Sequence, residues 1–129
     1  MFSGVFMLFW FIIGCATELR ILTDQPGCED VDFNEPTEEL IQYLVSDVGV
    51  EVSHTNTETY CDAVFEPEFI SDGNVIEVYE YWSTPEDTSC TTCFSPRIVI
   101  QDPPPGVYEV RWYIGDDAIP FDIVEIGVD

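Results

Sequence analysis

From Gly49 onward the chain repeats in steps of two, and this alternation constrains its fold more than any other feature. Val48, Val50 and Val52 alternate with Gly49, Glu51 and Ser53. Cys61, Ala63 and Phe65 alternate with Asp62, Val64 and Glu66. Val75–Trp82, VIEVYEYW, is rich in β-formers and sets Glu77 and Glu80 on opposite faces. Arg97–Gln101, RIVIQ, reads as a short buried strand, and in Val107–Ile114 the residues Tyr108, Val110, Trp112 and Ile114 share one face. A period of two places successive side chains on opposite sides of an extended chain, whereas a helix needs 3.6.

The punctuation agrees. Ser71-Asp72-Gly73-Asn74, Pro103-Pro104-Pro105-Gly106 and Gly115-Asp116-Asp117-Ala118 are turn clusters between these runs. The last of them predicts a closing hairpin with Phe121–Val128, in which a register change near Val124 suggests a bulge. Repeated strands with turns at short spacing indicate an antiparallel sandwich or barrel. Only Thr37–Ser46, TEELIQYLVS, reads as helical, with Leu40, Ile41, Leu44 and Val45 on one face and Asn34 or Thr37 as cap. An extra edge strand is the other reading of this segment.

The stretch Pro105-Gly106-Val107-Tyr108-Glu109-Val110 resembles the Gly-x-Tyr corner of immunoglobulin-like and fibronectin-like sandwiches. The resemblance implies that Tyr108 hydrogen-bonds back across the turn before its strand. It also implies an immunoglobulin-like sandwich over residues 27–129. Val110 stands where antibody domains carry their second core cysteine, so the inter-sheet disulfide of those domains is absent. Such a fold implies no chemistry by itself.

Charge narrows the range of partners. The chain holds 26 Asp plus Glu against three cations, Arg20, Arg97 and Arg111, for a net charge of −23 over 129 residues. Nucleic-acid binding needs a basic surface, and docking on anionic lipid through charge does too. Hydrophobic residues at 46 % exclude a disordered acidic tail. Because the charge runs the whole length of the chain, it reads first as a solvated skin, and second as a surface for a cationic envelope partner.

The first fourteen residues, MFSGVFMLFWFIIG, carry no charged side chain. An export signal needs about 7 to 15 apolar residues ending in small ones, and a spanning helix needs about 20. Residues 1–14 therefore read as a signal peptide. Ile12-Ile13-Gly14-Cys15 resembles the lipobox of bacterial lipoproteins. The resemblance implies lipid attachment at Cys15, a membrane anchor through that lipid, and a tether over residues 15–26. Ala16, where Asp favours inner-membrane retention in that family, implies the outer membrane.

Four further cysteines, Cys28, Cys61, Cys90 and Cys93, make an even count in an oxidising compartment, so two disulfides are expected. The favoured pairing is Cys90–Cys93 as a local staple with Cys28–Cys61 as the long bond; crossed pairing of the C-x-x-C to both distant cysteines stays open. A redox site at Cys90-Thr91-Thr92-Cys93 would need a helix N-terminus that the proline-bounded stretch does not offer. A four-cysteine zinc site would need a second C-x-x-C.

No catalytic constellation is legible. His54 is the sole histidine, sits among Ser, Thr and Asn, and reads as a surface residue. No catalytic residue, metal ligand or cofactor is assigned. Acidic loops at Glu29-Asp30-Asp32, Glu86-Asp87 and Asp116-Asp117 leave calcium-dependent binding as an alternative, without EF-hand spacing to support it. The sequence thus predicts an exported, lipid-anchored acidic domain with a non-catalytic binding or structural role.

Overall fold

A computed structural model describes residues 19–28, 39–84, 86 and 89–129. The described chain is mainly β. One four-stranded sheet has the order β1–β10–β3–β2, from Arg20–Asp24 (β1), Arg97–Gln101 (β10), Gly49–Thr55 (β3) and Leu40–Ser46 (β2), all antiparallel. The other has the order β12–β11–β7–β6, from Asp122–Val128 (β12), Gly106–Ile114 (β11), Val75–Glu80 (β7) and Glu68–Asp72 (β6). Two-stranded pairs join Thr57–Tyr60 (β4) to Thr91–Phe94 (β9), and Val64–Phe65 (β5) to Trp82–Ser83 (β8).

The alternation places the core. Val50 and Val52 from β3, Ile98 and Ile100 from β10, Ile76 and Val78 from β7, Val110 and Trp112 from β11, and Ile126 from β12 form one buried cluster. Both four-stranded sheets therefore bury their inward faces against each other's residues, which is the main source of stability in such an arrangement. The outward faces mix the exposed Leu22, Leu44, Ile70 and Ile123 with polar side chains, and two of the scarce cations tie them. Arg97 bridges Asp24 of β1 and Glu51 of β3, each at 3.0 Å. Arg111 pairs with Glu109 and, at 3.7 Å, with Glu77.

Several expectations are corrected. Leu40–Ser46 is not helical: it pairs residue for residue with β3, from Leu40↔Thr55 to Ser46↔Gly49, across the turn Asp47-Val48. Its apolar quartet fits a helical face by spacing, yet only Ile41 is buried while Leu44 and Val45 are half exposed, as an edge strand requires. Thr37 itself lies outside the described residues. Gly49 closes this hairpin at φ +141°, and a Cβ there would stand 2.0 Å from the Ile100 carbonyl oxygen, so the close approach of β10 needs glycine. No bulge interrupts β12, whose ladder to β11 runs unbroken from Trp112↔Asp122 to Gly106↔Val128. Phe121 and Ile123 are about half exposed. The sheets are not wholly antiparallel, because β7 and β11 run parallel from Glu109↔Val75 to Ile114↔Glu80. Arg20–Asp24, read from the sequence as tether, is a strand of the first sheet. The run Cys61–Phe65 turns at Cys61-Asp62, where the Ala63 amide donates to the Tyr60 carbonyl.

The bond that the tyrosine motif implies is present. Tyr108 lies buried, and its hydroxyl donates to the Pro104 carbonyl at 2.5 Å.

Candidate functional site

The buried polar centre of the molecule lies where two strands end. On β3 the inward series Val50, Val52 continues to His54; on β7 the series Ile76, Val78 continues to Glu80. Each apolar run thus delivers an ionisable group to the same interior, and His54 is 1 % and Glu80 4 % exposed. The Glu80 carboxylate accepts three hydrogen bonds. Oε1 takes His54 Nδ1–H at 2.6 Å and Trp112 Nε1–H at 2.8 Å, and Oε2 takes Trp82 Nε1–H at 2.7 Å. The network spans both sheets and the short strand β8, so it joins elements that backbone ladders leave separate.

Burial alone drives a carboxyl towards its neutral form, and it is the largest influence on Glu80. The hydrogen bond and positive charge of His54, with the two indole donors, outweigh it and hold Glu80 below the ordinary carboxylate range. The far side of the imidazole faces a second acid. His54 Nε2 lies 3.2 Å from Glu39 Oε1, within ion-pair range though out of line for a hydrogen bond. The ring also packs on Phe121 at 4.8 Å between centroids.

This arrangement is not that of a catalytic dyad. Nucleophilic catalysis needs a hydroxyl or thiol on the base and an open position for substrate. Both ring nitrogens of His54 face carboxylates. The neighbouring hydroxyls are engaged with backbone: Thr55 Oγ1 donates to the Leu40 carbonyl and Thr57 Oγ1 to the carbonyl of His54. A surface hollow of about 190 Å³ opens between Val45, Asp47, Gly49, Asp102 and Val128, at the opposite end of β3 from His54. That hollow and the buried His54–Glu80 pair do not coincide.

His54 is therefore a buried residue, not the surface residue its polar neighbours predict. Its signal was the same alternation that marks Val50 and Val52, carried one step further.

The cysteines are the second constellation. The structure forms two disulfides, Cys28–Cys93 and Cys61–Cys90, each with its Cα atoms 5.5 Å apart. This is the crossed pairing; the Cys90–Cys93 and Cys28–Cys61 bonds are absent. The reason is strand geometry. Thr91–Phe94 is extended, so residues three apart along it stand about 10 Å from each other, beyond the roughly 7 Å limit for a disulfide. Each cysteine instead meets the residue directly across from it. The β4–β9 ladder continues through the Cys61 amide, which donates to the Cys90 carbonyl at 3.0 Å. On the other edge the Gly27↔Phe94 bridge sets Cys28 opposite Cys93. With both sulfurs bonded elsewhere, the C-x-x-C is not a dithiol pair.

The remaining candidates are dispersed. Cys15, the tether residue 16, and the acidic cluster Glu29-Asp30-Asp32 lie outside the described residues. Asp116 accepts the Tyr81 hydroxyl at 2.5 Å, and that bond pushes the phenol up to about 12. Among the described residues no group of three or more His, Cys, Asp or Glu is placed to hold a metal ion, and no helix is long and apolar enough to cross a membrane. No family model, curated protein or solved structure matches the chain.

Proposed function

We propose that this chain is an exported, lipid-anchored envelope protein whose immunoglobulin-like β-sandwich has a non-catalytic binding or structural role. One observation carries the reading. Cys28, Cys61, Cys90 and Cys93 are consumed by two cross-strand disulfides, so Cys15, at the end of the apolar run, is the odd cysteine of five. Paired structural cysteines suit an oxidising compartment, and a leftover cysteine behind Gly14 suits lipid attachment. The Tyr108–Pro104 bond supports the immunoglobulin-like part of the reading. The engaged His54–Glu80 centre supports the non-catalytic part. On this reading residues 1–14 are removed, Cys15 anchors the chain in the membrane, and Ala16 points to the outer membrane.

The test is mass spectrometry of the protein purified from bacterial envelopes, with detergent-phase partitioning of Cys15→Ser beside it. The expected result is a chain beginning at Cys15 with acyl mass, and a variant that moves to the aqueous phase. An unmodified N-terminus at Ala16 or beyond, or a Cys15→Ser protein that stays equally membrane-bound, overturns the proposal.

A further inference from the structure

We propose that His54 is a buried protonation latch, whose imidazolium holds the start of β2 against the core and whose deprotonation releases it. The argument is one of donors and acceptors. Glu80 as a carboxylate only accepts, and its oxygens already face two indole N–H groups, so the hydrogen on the 2.6 Å contact belongs to His54 Nδ1. A neutral imidazole would then set an uncharged Nε2 beside Glu39 Oε1 at 3.2 Å, out of line for a hydrogen bond, so that only charge can hold the contact. A hydrogen on each nitrogen turns the same contact into attraction, and the geometry therefore selects the cation.

Other charges near the ring act in the same direction. Glu80 faces it from β7 and Glu39 from the residue before β2. Asp122 of β12, paired with Trp112 in the ladder, stands on the same side of its sheet. The guanidinium groups of Arg97 and Arg111 are engaged with Asp24, Glu51, Glu77 and Glu109.

The placement makes the contact consequential. Glu39 immediately precedes Leu40, the first residue of β2, and Ile41 pairs with His54 itself. β2 is the outermost strand of its sheet, hydrogen-bonded to β3 on one side. As an edge strand it can part from one neighbour alone, and its leading end carries its one buried side chain, Ile41. The Glu39 side chain is about half exposed (48 %), so water reaches the acid side of the pair while the ring stays dry. Loss of the Nε2 proton removes the charge that attracts the Glu39 carboxylate at the point where β2 begins.

The experiment is amide hydrogen exchange of the full chain from about pH 5 to about pH 9, the range in which histidines titrate, corrected for intrinsic exchange, with imidazole nitrogen spectra recorded in parallel. The ring should carry two hydrogens at the acid end and only the Nδ1 hydrogen at the alkaline end. Across that change, protection at the start of β2 should fall about tenfold more than in the centre of β3 and β10. Glu39→Gln, on the accessible side, should abolish the extra pH dependence while the molecule stays folded. A ring that keeps one protonation state throughout overturns the proposal. So does a β2 profile that tracks β3 and β10, or one that is identical in the Glu39→Gln protein.

Discussion

Removing one disulfide at a time tests the crossed pairing and its energetic weight together. Cys28–Cys93 spans 65 residues and encloses Cys61–Cys90, which spans 29. With the inner bond closed, the outer ring shortens from 65 by 29, to 36. Chain-entropy bookkeeping assigns about 3.6 kcal/mol to closing 29 residues, about 3.8 to closing 36 and about 4.3 to closing 65. The Cys61→Ser/Cys90→Ser protein keeps the 65-residue ring, so its loss is the pair of smaller closures less the larger, about 3 kcal/mol. The Cys28→Ser/Cys93→Ser protein loses about 3.8 kcal/mol. At roughly 4 °C per kcal/mol for a domain of this size, calorimetry should show melting points lower by about 12 °C and about 15 °C. The single Cys90→Ser variant decides the connectivity: Cys61 should become the free thiol and take an alkylating label, with Cys28–Cys93 intact. Mapping needs cleavage at Asp or Glu, because the nearest arginines, Arg20 and Arg97, bracket all four cysteines in one tryptic peptide. Label on Cys93 instead of Cys61, or melting points within about 3 °C of the parent, would refute the reasoning.

Four further outcomes are expected. Glu80→Gln should destabilise by about 3 kcal/mol, since it removes the charge that faces buried His54 and turns an amide N–H towards an indole N–H. Because Glu80 sits below its ordinary value when folded, its contribution is present above the unfolded carboxyl range and lost as pH falls through the folded value; denaturant titrations below about pH 4.5 should show a shallower acid loss in the variant. Gly49→Ala should cost about 3 kcal/mol or more in the same assay, as its Cβ meets the Ile100 carbonyl at 2.0 Å and φ lies at +141°; a parent-like stability would contradict the hairpin geometry. Tyr108→Phe should cost about 1 kcal/mol by leaving the Pro104 carbonyl without its hydroxyl donor. Melting temperature should rise with NaCl, as the Debye length shortens from about 30 Å at ~0.01 M to about 3 Å at ~1 M, and a flat profile would show that the carboxylates are not under mutual repulsion.

The strands were legible wherever alternation and turn residues agreed. Arg97–Gln101 forms over the bounds its pattern gives, and Tyr108, Val110 and Trp112 are buried on the face that their spacing assigns. Leu40–Ser46 misled because a run of four apolar residues in six satisfies both periods, and only pairing with β3 distinguishes them. The parallel β7–β11 contact has no local signature, since it depends on how β8, β9 and β10 return the chain. The same is true of the cysteines: their number set the count of bonds, but their partners follow from which strands flank β9. The His54–Glu80 centre was hidden by composition. Ser53, Thr55 and Asn56 surround His54 with polarity, yet Ser53 and Thr55 are themselves buried, so the polar neighbourhood did not signal the surface.

The two disulfides also divide the molecule by what a single cut can do. Every peptide bond between Cys28 and Cys93 lies inside a covalent ring, so one proteolytic break there leaves a single connected molecule, intact by mass apart from an added water until reductant is present. The strands β10, β11 and β12 lie beyond Cys93, outside both rings. A break in the Pro103–Gly106 turn would leave β11 and β12 joined to the rest by packing and ladders alone, although they supply Tyr108, Val110, Trp112 and Ile126 to the core. The molecule is thus a closed graph between Cys28 and Cys93 and an open chain on either side, and its tolerance of nicking is set by position along the sequence rather than by depth in the fold.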